Sequence, residues 1–319
     1  MNKTLINLLR YGALAGMLLF GRWYIYSHFD QFSGKVRFTP GAVTLLVFLN
    51  LCTILLESTR LRLMIRKLGR DLGQAASWNM MTLMQAVNHV VLKAGTFSGG
   101  YYLSRRYGIS LNSYIAFVMT YVVVMMLASG LLGLTVSAIF LLAGYAVNPF
   151  IPLFFLLIIA STAGCLAAAR LRLVFSWFPP VLIRFFEAVR FIYSDYRMLL
   201  LLSGIEILYY TVTALRFMTA VSMFSGRSDF LSAVVVVTVG NFLRIASIVP
   251  GGIGIAELAS GWTAGLMGSS TSISGLSAGL DRLVYIALVL FFGGMGFLAI
   301  SNRGEFHRPA EQEFPATDR

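Results

Sequence analysis

Asn241-Phe242-Leu243-Arg244-Ile245-Ala246-Ser247-Ile248-Val249-Pro250-Gly251-Gly252-Ile253-Gly254-Ile255-Ala256-Glu257 decides the reading of this chain. Its surroundings are apolar, yet Pro250 and three glycines break any helix that enters it. A break inside an apolar run frees backbone N–H and C=O groups, and at membrane depth such groups are tolerated only beside a polar cavity. The helix that restarts after Gly254 points its positive N-terminal end back at the break, with Glu257 in its first turn. An anion suits that terminus.

The rest of the chain supplies the membrane. Of 319 residues, 58% are hydrophobic and only 12% charged, against roughly 45–50% apolar in soluble domains. There is too little polar surface for a soluble particle. Leu5–Phe20 reads as a retained first span, because Gly21-Arg22-Trp23-Tyr24 resembles an interfacial anchor rather than a cleavage site. Gly41–Ser58, Leu111–Leu142, Pro149–Ala169, Leu199–Phe224 and Ile273–Ile300 are long enough to cross. Leu111–Leu142 invites a tilt or a break near Gly130 and Gly133. Arg60, Arg62, Arg66, Lys67 and Arg70, interleaved with leucine, methionine and isoleucine, predict a short interfacial helix. Residues 178–190 predict a second one. Residues 301–319 read as a disordered polar tail.

Two segments resist assignment as plain spans. Residues 73–108 carry Asn88, His89, Lys93, Gly95, Gly99 and Gly100, and residues 229–268 carry the break quoted above. If each segment re-emerges on the side it entered, seventeen Lys and Arg fall on one face and four on the other. That bias puts the rich face, with both termini, in the cytoplasm. The expected architecture is therefore all-α and polytopic, about six full spans with two opposed re-entrant hairpins. It forms a single domain over 1–300, with halves near 1–145 and 146–300 related as an inverted repeat. Hairpin arms that cross fully as separate spans remain the alternative.

The net charge of +12 belongs to loops and lipid headgroups rather than to nucleic acid. Cys52 and Cys165 lie in apolar runs and suggest neither a disulfide framework nor a metal site. No cofactor is expected. The informative charges are those left at membrane depth, where each costs at least ~2.5–3.5 kcal/mol and so faces a cavity or a partner. Arg244 reads either as a phosphate ligand or as the structural partner of Glu257. Lys93 reads either as a second phosphate contact or as a side chain reaching for the interface. Asp281-Arg282 is a salt bridge to a neighbouring helix or a gating pair. Asn88, Asn241, Gly251, Gly252 and Gly254 complete the candidate substrate site. His89 reads as a hydrogen-bonded interior residue. No zinc-protease, nucleophile-elbow or nucleotide-binding loop pattern is present.

Val249-Pro250-Gly251-Gly252-Ile253-Gly254-Ile255-Ala256-Glu257, followed by Asp281-Arg282 and Gly293-Gly294, resembles the lysylphosphatidylglycerol synthase transmembrane-domain family of flippase-like membrane proteins. Asn88, Lys93 with Gly95, and Arg105-Arg106-Tyr107-Gly108-Ile109-Ser110 extend the resemblance into the first half. The chain departs from that pattern at Val91, where a proline is usual, and at Thr96, where an acidic residue is. It also lacks a Glu-Arg pair near Thr120-Tyr121. The resemblance implies a protein that moves polar-headed lipids between leaflets, or serves a lipid-modifying or glycan-assembly pathway, in a bacterial-type inner membrane. The expected partner is an anionic phospholipid or lipid-linked glycan, with a homo-oligomer or a pathway partner protein left open. A membrane-embedded transferase using Glu257 or Asp281 as base is the runner-up, and a non-catalytic subunit the third reading.

Overall fold

The computed structural model describes residues 37–145, 147–170, 195–224, 226–247 and 249–302, together with Phe186. The expected first span, the second interfacial helix and the polar tail lie outside these residues. The α-helices among the described residues are α1 (Pro40–Lys67), α2 (Gln74–Val90), α3 (Ala94–Tyr107), α4 (Leu111–Leu142), α5 (Phe150–Arg170), α6 (Tyr196–Met223), α7 (Phe230–Ala246), α8 (Ile255–Leu266) and α9 (Thr271–Asn302), and these residues contain no strand. Five of them, α1, α4, α5, α6 and α9, are long and apolar enough to cross a membrane. This is a multi-pass membrane protein.

α1 and α6 run antiparallel along their whole length. The Arg37 N–H donates to the Met223 carbonyl at 2.7 Å at one end. At the other, Lys67 Nζ reaches Asp195 Oδ2 at 2.5 Å. Lys67 and the Met198 amide hold the Asp195 carboxyl below its ordinary range. α2 and α3 start and finish at the Lys67 end, where Leu72 and Leu103 pack with Ile65. α7 and α8 start and finish at the opposite end, where Gly261 lies against the Thr271 carbonyl at the head of α9. The two hairpins meet tip to tip in mid-bundle, with the added Cβ of Gly251 falling 2.9 Å from the His89 ring. Their arms of 12–17 residues extend about 18–25 Å at 1.5 Å per residue, short of a ~30 Å hydrocarbon core.

Helix lengths repeat in the two halves. α1 to α4 have 28, 17, 14 and 32 residues, and α6 to α9 have 28, 17, 12 and 32, with opposite direction through the bundle. The repeat units are thus residues 40–142 and 196–302, with α5 as an addition between them. The register holds for individual side chains. Arg60 and Arg216 are both the twenty-first residue of their helices, and Asn50 and Glu206 both the eleventh. Tyr121 and Asp281 are both the eleventh residue of α4 and α9. These positions form the same three-helix cluster twice. In one, Arg60 bonds Glu206 Oε1 at 2.9 Å and Tyr121, whose hydroxyl donates to the same oxygen at 2.6 Å. In the other, Arg216 forks onto Asp281 at 2.9 and 2.8 Å, while Asn50 donates to Asp281 at 3.2 Å.

Two expectations are corrected here. Residues 60–67 are not a separate interfacial helix but the last turns of α1. The helix continues because Arg60 finds a carboxylate and a phenol inside the bundle, while Arg62 stays half-exposed beside Asp71 at 3.3 Å. α4 is unbroken past Gly130 and Gly133. Those glycines make room for α5: a Cβ on Gly133 would lie 2.2 Å from the Phe155 ring.

Removing one member of a buried pair strands the other charge, which costs about 3–5 kcal/mol. Arg60→Ala and Glu206→Ala should each lower thermal unfolding in detergent by that order. Arg62→Ala, an exposed pair worth ~0–1 kcal/mol, should leave it nearly unchanged.

Candidate functional site

The hairpin tips and the two ion clusters enclose two cavities. The first, about 220 Å³, lies beside the α2–α3 hairpin and is lined by Glu57, Arg60, Gln85, Asn88, Thr96 and Tyr121 among others. The second, about 100 Å³, lies beside α7–α8 and is lined by Arg216, Asn241, Arg244, Glu257, Asp281 and Arg282 among others. Tyr209, Asn241 and Arg244 border both. The linings correspond by helix position: Gln85 with Asn241, Asn88 with Arg244, and Thr96 with Glu257. One chamber has been built twice, and its chemistry differs in the two copies.

The second chamber carries more charge. Its floor is the break: Gly251, Gly252 and Gly254 have φ of 62°, 68° and 84°, a region that L side chains rarely enter. At Gly252 the need is also steric, since an added Cβ would lie 2.7 Å from Arg244 Cγ and 3.1 Å from its Cα. The break therefore folds back over Arg244. Beyond it, the Gly254 N–H donates to Glu257 Oε2 at 2.7 Å, so the α8 N-terminus is closed by its own carboxylate. The other Glu257 oxygen pairs with Arg282 Nη1 at 3.2 Å.

Arg244 and Glu257 are thus not partners: Arg282 has taken the carboxylate. Arg244 Nε and Nη2 donate to Asn241 Oδ1 at 3.0 and 2.5 Å, and Nη2 reaches the Tyr209 hydroxyl at 3.4 Å. Asn241 is held in turn by donating to the Tyr210 hydroxyl at 3.1 Å. Among the described residues Arg244 has no carboxylate within ion-pair distance. Arg282 contributes further donors, because its Nε and Nη2 are buried and make no hydrogen bond to the described residues. A buried donor left unmet costs about 1–3 kcal/mol. Two guanidinium groups, which among the described residues have respectively no ion-pair partner and unmet donors, border a chamber next to a helix break. An oxyanion satisfies both.

The remaining predicted residues fall in three places. Asp281 lines the second chamber but is committed to Arg216. Asn88 lines the first chamber and caps α3, accepting from the Thr96 N–H at 3.1 Å and donating to its hydroxyl at 3.1 Å. Lys93 sits at the tip with φ 54°, exposed, and borders neither chamber. The structure does not bring it to Arg244. His89 Nδ1 donates to the Gln85 carbonyl at 2.8 Å, as an interior hydrogen-bonded residue would. Residues to which the sequence reading gave no site role are Arg60, Tyr121, Tyr285 and, above all, Glu57. The signal for them was the equal offset of Arg60 and Arg216 within two apolar helices, legible only once the helix starts are known.

The lysylphosphatidylglycerol synthase TM region family matches this chain over residues 10–293. No match is found among curated proteins.

Gly252→Ala should displace Arg244 and force a strained backbone, at about 1–3 kcal/mol. The expected readout is a lowered unfolding temperature with loss of stabilisation by a short-chain anionic phospholipid. Gly294→Ala, where an added Cβ meets nothing within 4 Å, is the matched control.

Proposed function

We propose that this chain, which belongs to the lysylphosphatidylglycerol synthase TM region family, moves lipids with anionic headgroups between the leaflets of a bacterial-type inner membrane. The observation that carries the reading is Arg244: a partly buried cation without a carboxylate partner among the described residues, bordering both chambers. A headgroup phosphate entering either chamber meets it. Arg282 offers a second set of donors from the α9 side. Lipid tails stay outside, in hydrocarbon, while the headgroup crosses the polar interior. The hairpins fit re-entrant elements, since their arms fall short of the membrane thickness and each returns to its own side.

Charge distribution supports an orientation. The Lys67 end carries Arg62, Arg66, Lys67, Arg70, Arg105, Arg106 and Arg197, while the opposite end carries Arg37 and Arg227. By the positive-inside bias the Lys67 end faces the cytoplasm, and the first chamber is the one nearer to it. A transferase reading has less support, because Glu257 and Asp281, its candidate bases, are each held by an arginine.

The test is transport in proteoliposomes. Fluorescent phosphatidylglycerol should become accessible to an external quencher at a rate that depends on the protein. Arg244→Ala and Glu257→Ala should reduce that rate to the protein-free level while still inserting, and Arg62→Ala should leave it within about twofold, as expected for an interfacial charge worth ~1 kcal/mol or less. Full activity in both interior variants would reduce the second hairpin to scaffold.

A further inference from the structure

The three ion pairs described above, Arg60–Glu206, Arg216–Asp281 and Arg282–Glu257, use three of the four arginines and three of the four carboxylates around the chambers. One of each is left: Arg244 and Glu57. Glu57 is 2% exposed and lines the first chamber, which Arg244 also borders. Its Oε2 accepts from the Tyr285 hydroxyl at 2.7 Å, and no Lys, Arg or His of the described residues forms an ion pair with it. The two leftover charges therefore balance one another across the chamber without touching.

That balance sets a condition on the cargo. In a low-dielectric interior an uncompensated charge is costly. When a phosphodiester, a monoanion, takes the Arg244 guanidinium, Glu57 is left as a surplus negative charge. Neutrality returns if the carboxylate takes one proton and becomes a carboxylic acid, which can then donate a hydrogen bond. From this geometry we infer that headgroup and proton bind together, Glu57 being the proton's site, so that the lipid crosses as an electroneutral pair. The inference rests on the translocase reading and adds to it a coupling ion.

The groups that face Glu57 are compatible with this role. Arg60 stands one turn on in α1. Tyr285 comes from α9, Tyr209 from α6, Tyr121 from α4 and Arg244 from α7. From α2, His89 meets the Tyr285 ring at a centroid distance of 5.9 Å. His89 is the competing proton site, and a variant separates the two.

The experiment uses the full chain in detergent with dihexanoyl-phosphatidylglycerol, whose phosphodiester does not titrate in the working range. Wild-type protein should absorb about one proton per headgroup bound, and its Kd should rise about tenfold per pH unit, the slope of one linked proton. Glu57→Gln, which keeps an acceptor for Tyr285, should bind with neither proton uptake nor pH slope, and His89→Gln should retain both. Binding without proton uptake in the wild type, unchanged uptake in Glu57→Gln, or its loss in His89→Gln overturns the inference. In proteoliposomes, wild-type transport should respond to an imposed pH gradient and Glu57→Gln transport should not. Wild-type transport indifferent to the gradient defeats the coupling and leaves the translocase standing. Proton-linked binding without any transport defeats the translocase reading instead.

Discussion

A charge inside this bundle must find its opposite, and the architecture follows from how that is arranged. Arg60 and Arg216 sit at the same position, the twenty-first of 28 residues, in two largely apolar helices. Each is neutralised by a carboxylate on another helix, so α1, α6 and α9 cannot slide or separate without exposing a bare charge to hydrocarbon. Packing among Leu, Val and Phe gives such a bundle little preference of register, since lipid tails are as apolar as leucine. The ion pairs supply that register.

With the frame fixed, the hairpins become tolerable. A chain that breaks inside an apolar bundle needs a polar place for its freed backbone groups, and the tips of α2–α3 and α7–α8 lie against one another where Gly251 meets His89. Small residues make the meeting close: the α2–α3 turn is so tight that a Cβ on Gly95 would lie 1.8 Å from the Met84 carbonyl oxygen. Gly261 and Gly265, which in sequence resemble a helix-dimer stripe, are instead covered by Thr271 at the head of α9. Their contact is within the chain.

Much of this was legible in the sequence because apolar periods and glycine-proline punctuation are local signals. The long helices of the described residues, the two hairpins and the break at Pro250–Gly254 were all placed from them, and Arg244 was singled out beside that break. What stayed hidden depended on contacts between distant positions. Arg60 looked like one of five interfacial cations because its neighbours are; nothing nearby reveals that Glu206 lies opposite. Glu57 looked like the end of a span. Arg244, closer in sequence, was the one alternative partner offered for Glu257, whereas Arg282 on α9 is the group that reaches it. Lys93 fitted a motif and proved to lie outside both chambers, its position at the tip set by a left-handed turn.

The duplicated halves share nearly equal helix lengths and the arginine position of Arg60 and Arg216 but have parted in where they keep their acids. Both cluster carboxylates, Glu206 on α6 and Asp281 on α9, belong to the second half, while the first half carries an amide, Asn50, and a phenol, Tyr121, at the same helix positions. Thr96 answers Glu257, and Asn88 answers Arg244. A scaffold that looks alike when turned over is therefore lined unlike from top to bottom. The two ends of the bundle therefore offer different chemistry at matched positions, amide and hydroxyl at Asn88 and Thr96 in the first chamber, guanidinium and carboxylate at Arg244 and Glu257 in the second.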